Sequence, residues 1–271
     1  MARSRFSHRS RSNRSPRASA RRKYSQNFLV DHQVAAAVVR LSGVARDDLV
    51  VEVGPGDGML TKALARKAGK VLAYEIDPVY ARRLAERYRD DPRVRCVRGD
   101  FLAAAPPRGE FAVVANIPYS RTGGVVDWCL RAPGLTSATL MTQLEYARKR
   151  TGDFGRWSQT TVESWPRFEW TLRGRVDRGK FDPAPRADSG ILQLTRRDKA
   201  LLPRKAMPQY RALVRLGFTG VGGSLRASLR RGFGAREVGS AFADAELDPR
   251  TVVGYVTPQQ WIEVFRALYS L

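Results

Sequence analysis

The sequence predicts an α/β protein in which a parallel sheet with interleaved helices is followed by a small all-helical domain. Three observations carry this. Short apolar runs at Leu49–Val53, Val71–Tyr74 and Phe111–Ala115 alternate with segments of helical period, the pattern of βαβ units. Residues suited to ligand binding recur where successive runs end, at Gly54, Glu75, Asp100 and Asn116, and open α/β sheets bind ligands at the carboxyl ends of their strands. From Arg196 onward the strand pattern stops and helical segments follow. The chain divides accordingly into a basic arm over residues 1–23, a sheet domain over 24–196 and a helical domain over 197–271.

Charge narrows the partners. The 271 residues include 48 basic and 26 acidic side chains, a formal charge of +22, and are 43% hydrophobic, enough for a real core. Such a surplus favours a polyanion, nucleic acid before anionic membrane, since no basic amphipathic anchor helix stands out. No run approaches the ~18 apolar residues of a membrane helix. Two cysteines, Cys96 and Cys129, fit a reduced cytoplasmic protein with buried thiols. The two histidines, His8 and His32, argue against a Ser-His-Asp triad and against a His-rich metal site. No metal is expected, and the chemistry must need little acid–base help.

Residues 1–23 hold nine Arg or Lys, six Ser and no acid, a composition that cannot bury a core. They read as a disordered electrostatic arm for RNA or DNA, with Arg21, Arg22 and Lys23 nearest the folded part. A solvated tail is the plainer alternative, and an Arg- and Ser-rich transit peptide stays open. No apolar stretch suits a secretory signal.

Next come Gln26, Asn27, Phe28 and Leu29, either loop or a segment that closes over a cofactor. Asp31 is a candidate N-cap for a helix over Gln33–Leu41, whose Val34, Ala37, Val38 and Leu41 recur at helical spacing. The strand Leu49–Val53 runs into Gly54, Gly56 and Gly58, then a helix from Met59 to Lys67. Glycine lets backbone approach a ligand closely. The dinucleotide fingerprint needs a glycine where Met59 stands, so the loop suits an amino-acid-bearing nucleoside better than a pyrophosphate. The second strand ends in Glu75-Ile76-Asp77. Glu75 lies 21 residues after Gly54, the placement for ribose hydroxyls. Asp77 suits the cap of the helix Pro78–Arg89. The strand Val94–Val97 leads to Asp100, placed to accept from an adenine amino group, with Phe101 beside the ring.

The strand Phe111–Ala115 delivers Asn116-Ile117-Pro118-Tyr119. Pro118 stops the ladder, the Asn amide offers donors and an acceptor, and the Tyr ring can stack on a flat base. A plain strand-ending turn is the alternative. Four strand ends in register nevertheless describe a nucleoside site across the top of a Rossmann-like sheet. Beyond it, 125–130 reads as helix, 136–141 as strand and 143–150 as helix. Phe168–Val176 and Gly190–Thr195 read as late strands, placed at the sheet edge because Pro166, Pro183 and Pro185 flank them. Phe181 sits in a basic, proline-rigid loop, either exposed for base stacking or tucked into the core. The helical domain has segments at 207–218, 234–242 and 258–268. From Arg196 it carries 13 basic and six acidic residues, with Arg226, Arg230 and Arg231 near one helix face as phosphate contacts. A helical cap with a solvated face is the alternative.

These pieces resemble S-adenosylmethionine-dependent methyltransferases. More narrowly, Gln26–Leu29, Val51–Gly58, Asn116–Tyr119 and the run from Phe181 through Pro183 and Pro185 to Asp188-Ser189 resemble the ribosomal RNA adenine N6-methyltransferases, from about Lys23 onward. Ile117, the run Met141–Arg148, Trp165-Pro166 with Trp170, and the small helical domain resemble its Erm branch, which modifies 23S ribosomal RNA and confers macrolide–lincosamide–streptogramin B resistance. The Arg bias resembles actinobacterial members. Ser120–Gly124 departs from the family, which more often has a bulkier residue in place of a glycine.

The resemblance implies a Rossmann-like methyltransferase sheet and S-adenosyl-L-methionine as cofactor. Its pocket would use Gln26, Asn27, Leu29, Gly54, Gly56, Gly58, Glu75, Ile76, Asp100, Phe101 and Asn116. Asn116, Ile117, Pro118, Tyr119 and Phe181 would serve a flipped adenine in 23S ribosomal RNA, protein-free or an early precursor, with the enzyme a cytoplasmic monomer. Two rivals stay open: a housekeeping small-subunit (16S) dimethyltransferase, and an RNA-binding or assembly factor without turnover. A nicotinamide oxidoreductase is disfavoured by Met59.

Overall fold

Strands with no polar face must be covered on both sides, and the computed structural model, which describes residues 27–270, shows how. The arm with Arg21, Arg22 and Lys23, together with Gln26, lies outside the described residues. A short strand β1 (Phe28–Leu29) leads into α1 (His32–Ser42). Asp31 caps α1, accepting from Gln33 and Val34 N–H at 2.8 and 3.1 Å. The alternation then runs β2 (Leu49–Val53), α2 (Met59–Leu64), β3 (Lys70–Glu75), α3 (Pro78–Arg87), β4 (Val94–Arg98) and β5 (Phe111–Asn116). α2 stops at Leu64, short of Lys67, because its last residues close as turns, with Lys67 N–H on the Leu64 carbonyl at 2.9 Å. Asp77 caps α3 through Val79 and Tyr80 N–H.

The chain continues through α4 (Thr122–Arg131), β6 (Leu135–Gln143), α5 (Leu144–Arg150), α6 (Gln159–Ser164), β7 (Phe168–Val176), β8 (Phe181–Asp182) and β9 (Ser189–Arg196). One seven-stranded sheet has the order β4-β3-β2-β5-β6-β9-β7. The first five strands in this order are parallel, and β9 is antiparallel to both neighbours. Strand order reverses between β2 and β5, which opens the ligand crevice expected at such a switch point. β7 is an edge strand as expected, but β9 lies inside the sheet, paired on both sides. The prolines stand before β7 and before β9, never within them, so no ladder hydrogen bond is lost. β1 and β8 form a separate antiparallel ribbon.

One apolar cluster joins Val113, Val125, Trp128 and Leu140 on one face of the sheet; a second joins Val38, Val50, Leu64 and Val114 on the other. The helical domain adds α7 (Met207–Phe218), α8 (Leu225–Leu229), α9 (Ala235–Asp244) and α10 (Pro258–Tyr269). Its core of Tyr210, Leu213, Trp261 and Phe265 also takes in Val162 of α6, with Trp157 and Trp165 packed against it. Segment 157–165 thus packs into the helical core although it precedes residue 197. Both thiols are free. Burial pushes Cys129 up to about 12 and half-buried Cys96 up to about 11, so neither is a ready nucleophile. Among the described residues no helix is long and apolar enough to cross a membrane.

Candidate active site

β5 ends at the crevice, so its last residue faces the ligand space. Asn116 donates from Nδ2 to the Asn27 carbonyl at 2.9 Å, which assigns the amide orientation and leaves Oδ1 as its acceptor atom. The Ile117 N–H is held by the Met141 carbonyl at 3.2 Å, fixing the peptide at the turn. Tyr119 is half-buried, and its hydroxyl is 2.9 Å from Ser189 Oγ and 3.3 Å from the Ala187 carbonyl. Burial, the main cause, raises the phenol above its ordinary value, so the hydroxyl stays protonated.

Two hollows flank this turn and share Gly54 and Pro118. The larger, a cavity of about 240 Å³, is walled by Ile76, Phe101, Leu102 and Ile117 with Asp100 at its rim. A largely apolar slot edged by Asp100, Ser120 and Arg121 suits a nucleobase. The smaller, about 30 Å³, lies among Asn27, Leu29, Glu52, Gly54 and Asn116, a polar end suited to an amino-acid moiety. Gly54, Gly56 and Gly58 all take positive φ, of 66°, 54° and 79°. A Cβ on Gly56 would fall 2.8 Å from the Phe28 ring, so β1 closes directly over the glycine loop. Lys180 Nζ bonds Asp31 at 2.7 Å, and the Val30 N–H donates to the Lys180 carbonyl at 3.0 Å, fastening that cover to the ribbon.

Several expected residues are engaged differently. Glu75 is fully buried, and its two oxygens accept from Gly56 and Asp77 N–H, both at 2.9 Å. Here it braces the glycine loop rather than presenting an open carboxylate. Burial, the largest cause, pushes its carboxyl up against the pull of those two amides. Asp100 accepts from Leu102 N–H at 3.0 Å and pairs with Arg121 Nη2 at 2.5 Å. Burial works to raise its carboxyl, but the Leu102 amide and the Arg121 guanidinium outweigh it and hold it below the ordinary range. Arg121 therefore competes for the oxygen that an adenine amino group would need. Both side chains are over a third exposed, at 45% and 39%, so the pair is worth only ~0.2–1 kcal/mol. Arg121→Ala is expected to tighten cofactor binding about 2–5-fold in calorimetry. An unchanged or weaker affinity would count against competition at Asp100.

Phe181 takes the second of its two alternatives, the core. It is 4% exposed and packs with Leu29, Val38 and Val176, because the β1–β8 ribbon turns it inward. Arg226 and Arg230 stand one turn apart on the same side, with the Arg230 N–H bonded to the Arg226 carbonyl at 3.1 Å, whereas Arg231 is off that face. α8 ends at Leu229, so Arg230 is its C-cap and Arg231 lies in the next turn. Arg230 and Arg231 are exposed, and Arg226 is half-buried with no partner for its Nε among the described residues.

The sequence reading passed over Glu52. It sits in β2, 1% exposed, with Oε2 lacking a hydrogen-bond partner among the described residues. Burial pushes its carboxyl up to about 8, reinforced by the charge of Glu75 and opposed by Thr61. An acid inside an apolar strand just before the glycine loop was the available signal. A buried carboxyl with one unpartnered oxygen, lining the smaller hollow, is what a cationic ligand group would satisfy.

Residues 17–269 match the family described as ribosomal RNA adenine dimethylase. A Streptomyces fradiae rRNA adenine N-6-methyltransferase is 56% identical over 92% of this chain and 79% of its own length. The mycinamicin-resistance protein MyrB of Micromonospora griseorubida is 34% identical over 93% of this chain and 80% of its own. The crystal structure of the 23S rRNA methyltransferase ErmE superposes with a TM-score of 0.85 at 47% identity, covering 89% of this chain and 99% of that one. With the family match spanning nearly the whole sequence, the chain belongs to the ribosomal RNA adenine dimethylase family of rRNA adenine N6-methyltransferases.

Proposed function

We propose that the protein methylates N6 of one adenosine in 23S ribosomal RNA, protein-free or in an early precursor, and so confers macrolide–lincosamide–streptogramin B resistance. It acts as a cytoplasmic monomer. The observation that carries the chemistry is the Asn116 amide, whose Nδ2 is committed to Asn27 and whose Oδ1 is left to accept. The RNA assignment rests on likeness to the 23S rRNA methyltransferase ErmE and on the +22 charge, and the resistance assignment on likeness to MyrB.

S-adenosyl-L-methionine fits the paired hollows: the apolar slot with Asp100 for its adenine, and the polar end with Glu52 for the ammonium group of its amino-acid end. When bound, it supplies an activated methyl group. Asn27, Leu29 and Gly54 line the polar end, while Ile76 and Phe101 wall the slot. Gly56, Gly58 and Glu75 shape the loop between.

On the RNA side, Asn116 Oδ1 accepts one N–H of the adenine amino group and the Ile117 carbonyl the other. The nitrogen lone pair, otherwise delocalised into the ring, is thereby turned toward the crevice. Tyr119, held by Ser189, offers its face to the flipped base. Pro118 keeps the turn rigid. Phe181 acts from beneath, as packing for β1, in place of direct stacking. Positioning supplies much of the acceleration, and no histidine is required.

The test is transfer of labelled methyl to protein-free 23S and 16S RNA, with the modified base mapped by primer extension. One strong stop in the 23S peptidyl-transferase loop is expected. Dimethylation confined to a 16S 3′ hairpin would move the protein to the housekeeping branch, and cofactor binding without transfer would make it a non-catalytic RNA-binding protein.

A further inference from the structure

β9 runs antiparallel to β6, and β7 antiparallel to β9, so Ser189 and Val176 lie at the Asn116 end of the sheet. Arg196 and Phe168 lie at the other end. β9 has eight residues, which at ~3.4 Å each puts these ends roughly 25 Å apart. At that far end a groove of about 570 Å³ opens between the sheet and the helical domain. Its walls carry Arg131, Arg167, Arg196, Arg197, Arg204 and Arg211, against one carboxylate, Asp198. A second hollow of about 350 Å³ shares Arg131, Arg167 and Arg211 and adds Arg215, Asp127 and Glu163.

The way these guanidinium groups are held sets them apart from a solvated basic face. Arg197 donates from Nε to the Trp165 carbonyl at 3.0 Å and lies 5.0 Å over the Trp165 ring. Arg196 donates to the Pro133 carbonyl, and its approach to Glu110 is 3.9 Å with that glutamate 78% exposed. Arg167 lies 5.3 Å over Phe168. Carbonyls and rings orient these groups without cancelling their charge. Among the described residues, the closer ion pair is in the adjoining hollow, Arg215 with Glu163 at 3.3 Å. The crowding is felt: burial first, then the charges of Arg211, Arg196 and Arg204, hold Arg167 below its ordinary value. Pre-oriented guanidinium forks match phosphate oxygens, and a polyanion in the groove would relieve their repulsion.

We propose that this groove grips the sugar-phosphate backbone of an RNA segment flanking the target adenosine, on the opposite end of the sheet from the catalytic turn. The inference rests on the rRNA methyltransferase reading and extends it, by giving the enzyme a second contact that a minimal hairpin cannot reach.

The experiment pairs two RNAs, a minimal hairpin holding the target adenosine and a longer 23S fragment with its flanking helices. The variant is Arg131→Gln with Arg204→Gln, both exposed. Cofactor affinity of the variant, measured by calorimetry, reports that the fold is intact. The expected result is about a tenfold rise in KM for the long RNA, with KM and kcat on the hairpin unchanged. The slope of log Kd against log salt for the long RNA should fall by about 2. Unchanged long-RNA binding overturns the proposal. So does an equal loss on both RNAs, which marks diffuse attraction. Failure of the wild-type enzyme to methylate either RNA would sink the 23S reading instead, and the salt slope for the long RNA would then decide the groove alone.

Discussion

Replacing Asn116 with alanine is expected to cut turnover about a thousandfold while the protein still folds and binds cofactor. Loss of one preorganised hydrogen-bonding group at the reacting atom typically costs 10²–10³ in kcat. Here the same change also releases the Asn27 carbonyl, bonded at 2.9 Å, and so loosens the cover over the glycine loop. Asn116→Asp is a sharper probe, because it keeps an acceptor but sets a carboxylate against that carbonyl, and it too should be poor. Phe181→Leu is the comparison. Phe181 is buried among Leu29 and Val38, where leucine keeps most of the apolar contact. A destabilisation of about 1–2 kcal/mol and a turnover loss within roughly tenfold are expected. Labelled-methyl incorporation measured on both variants checks this, and near-equal activities would refute the assigned roles.

Glu52→Gln is expected to make the free protein more stable and a worse enzyme. Glutamate ordinarily ionises near 4.5, and burial moves folded Glu52 to about 8. Its contribution to stability is therefore complete below the unfolded value and is lost as pH rises through the folded one. At pH 7 the unfolded chain gains on the order of 3 kcal/mol from ionising there. Glutamine removes that titration, so Tm at pH 7 should rise by roughly 5 °C, with little change near pH 4. A cationic group bound beside Glu52 favours its ionised form, so binding releases a proton and affinity climbs with pH toward 8. The glutamine variant should bind about tenfold or more weakly and lose that slope. Calorimetry in buffers of different ionisation enthalpy reads the proton directly. A slope that survives in Glu52→Gln would assign it to another group.

The parallel half of the sheet was legible because fully buried strands are unbroken apolar runs, as in Leu49–Val53 and Phe111–Ala115. Asp31 and Asp77 stood in plain cap positions. What was not legible depends on distant partners. β1 and β8 have two residues each and exist only because they meet across the fold. No local pattern announces such a ribbon, and it also decides whether Phe181 points in or out. Glu75 and Asp100 were placed correctly at strand ends, yet their occupation by the Gly56 amide and by Arg121 depends on loop conformation. α6, with its Thr160-Thr161-Val162 run, lacks local helical preference and is held by Ser158 at its start and by the helical core.

The ribbon has a consequence for how the enzyme comes into being. Residues 28–29 find their partners at 181–182, about 150 positions later in synthesis. At ~5–20 residues per second, a nascent chain spends roughly ten seconds or more with its glycine loop made and its cover unfastened. The sheet's first strands can pair during that time, because β2, β3 and β4 are near in sequence. The cofactor crevice cannot be sealed until Lys180 reaches Asp31. Chains arrested before residue 180 should thus hold folded βαβ units but bind cofactor poorly, and competence should arrive late and abruptly as translation passes the ribbon.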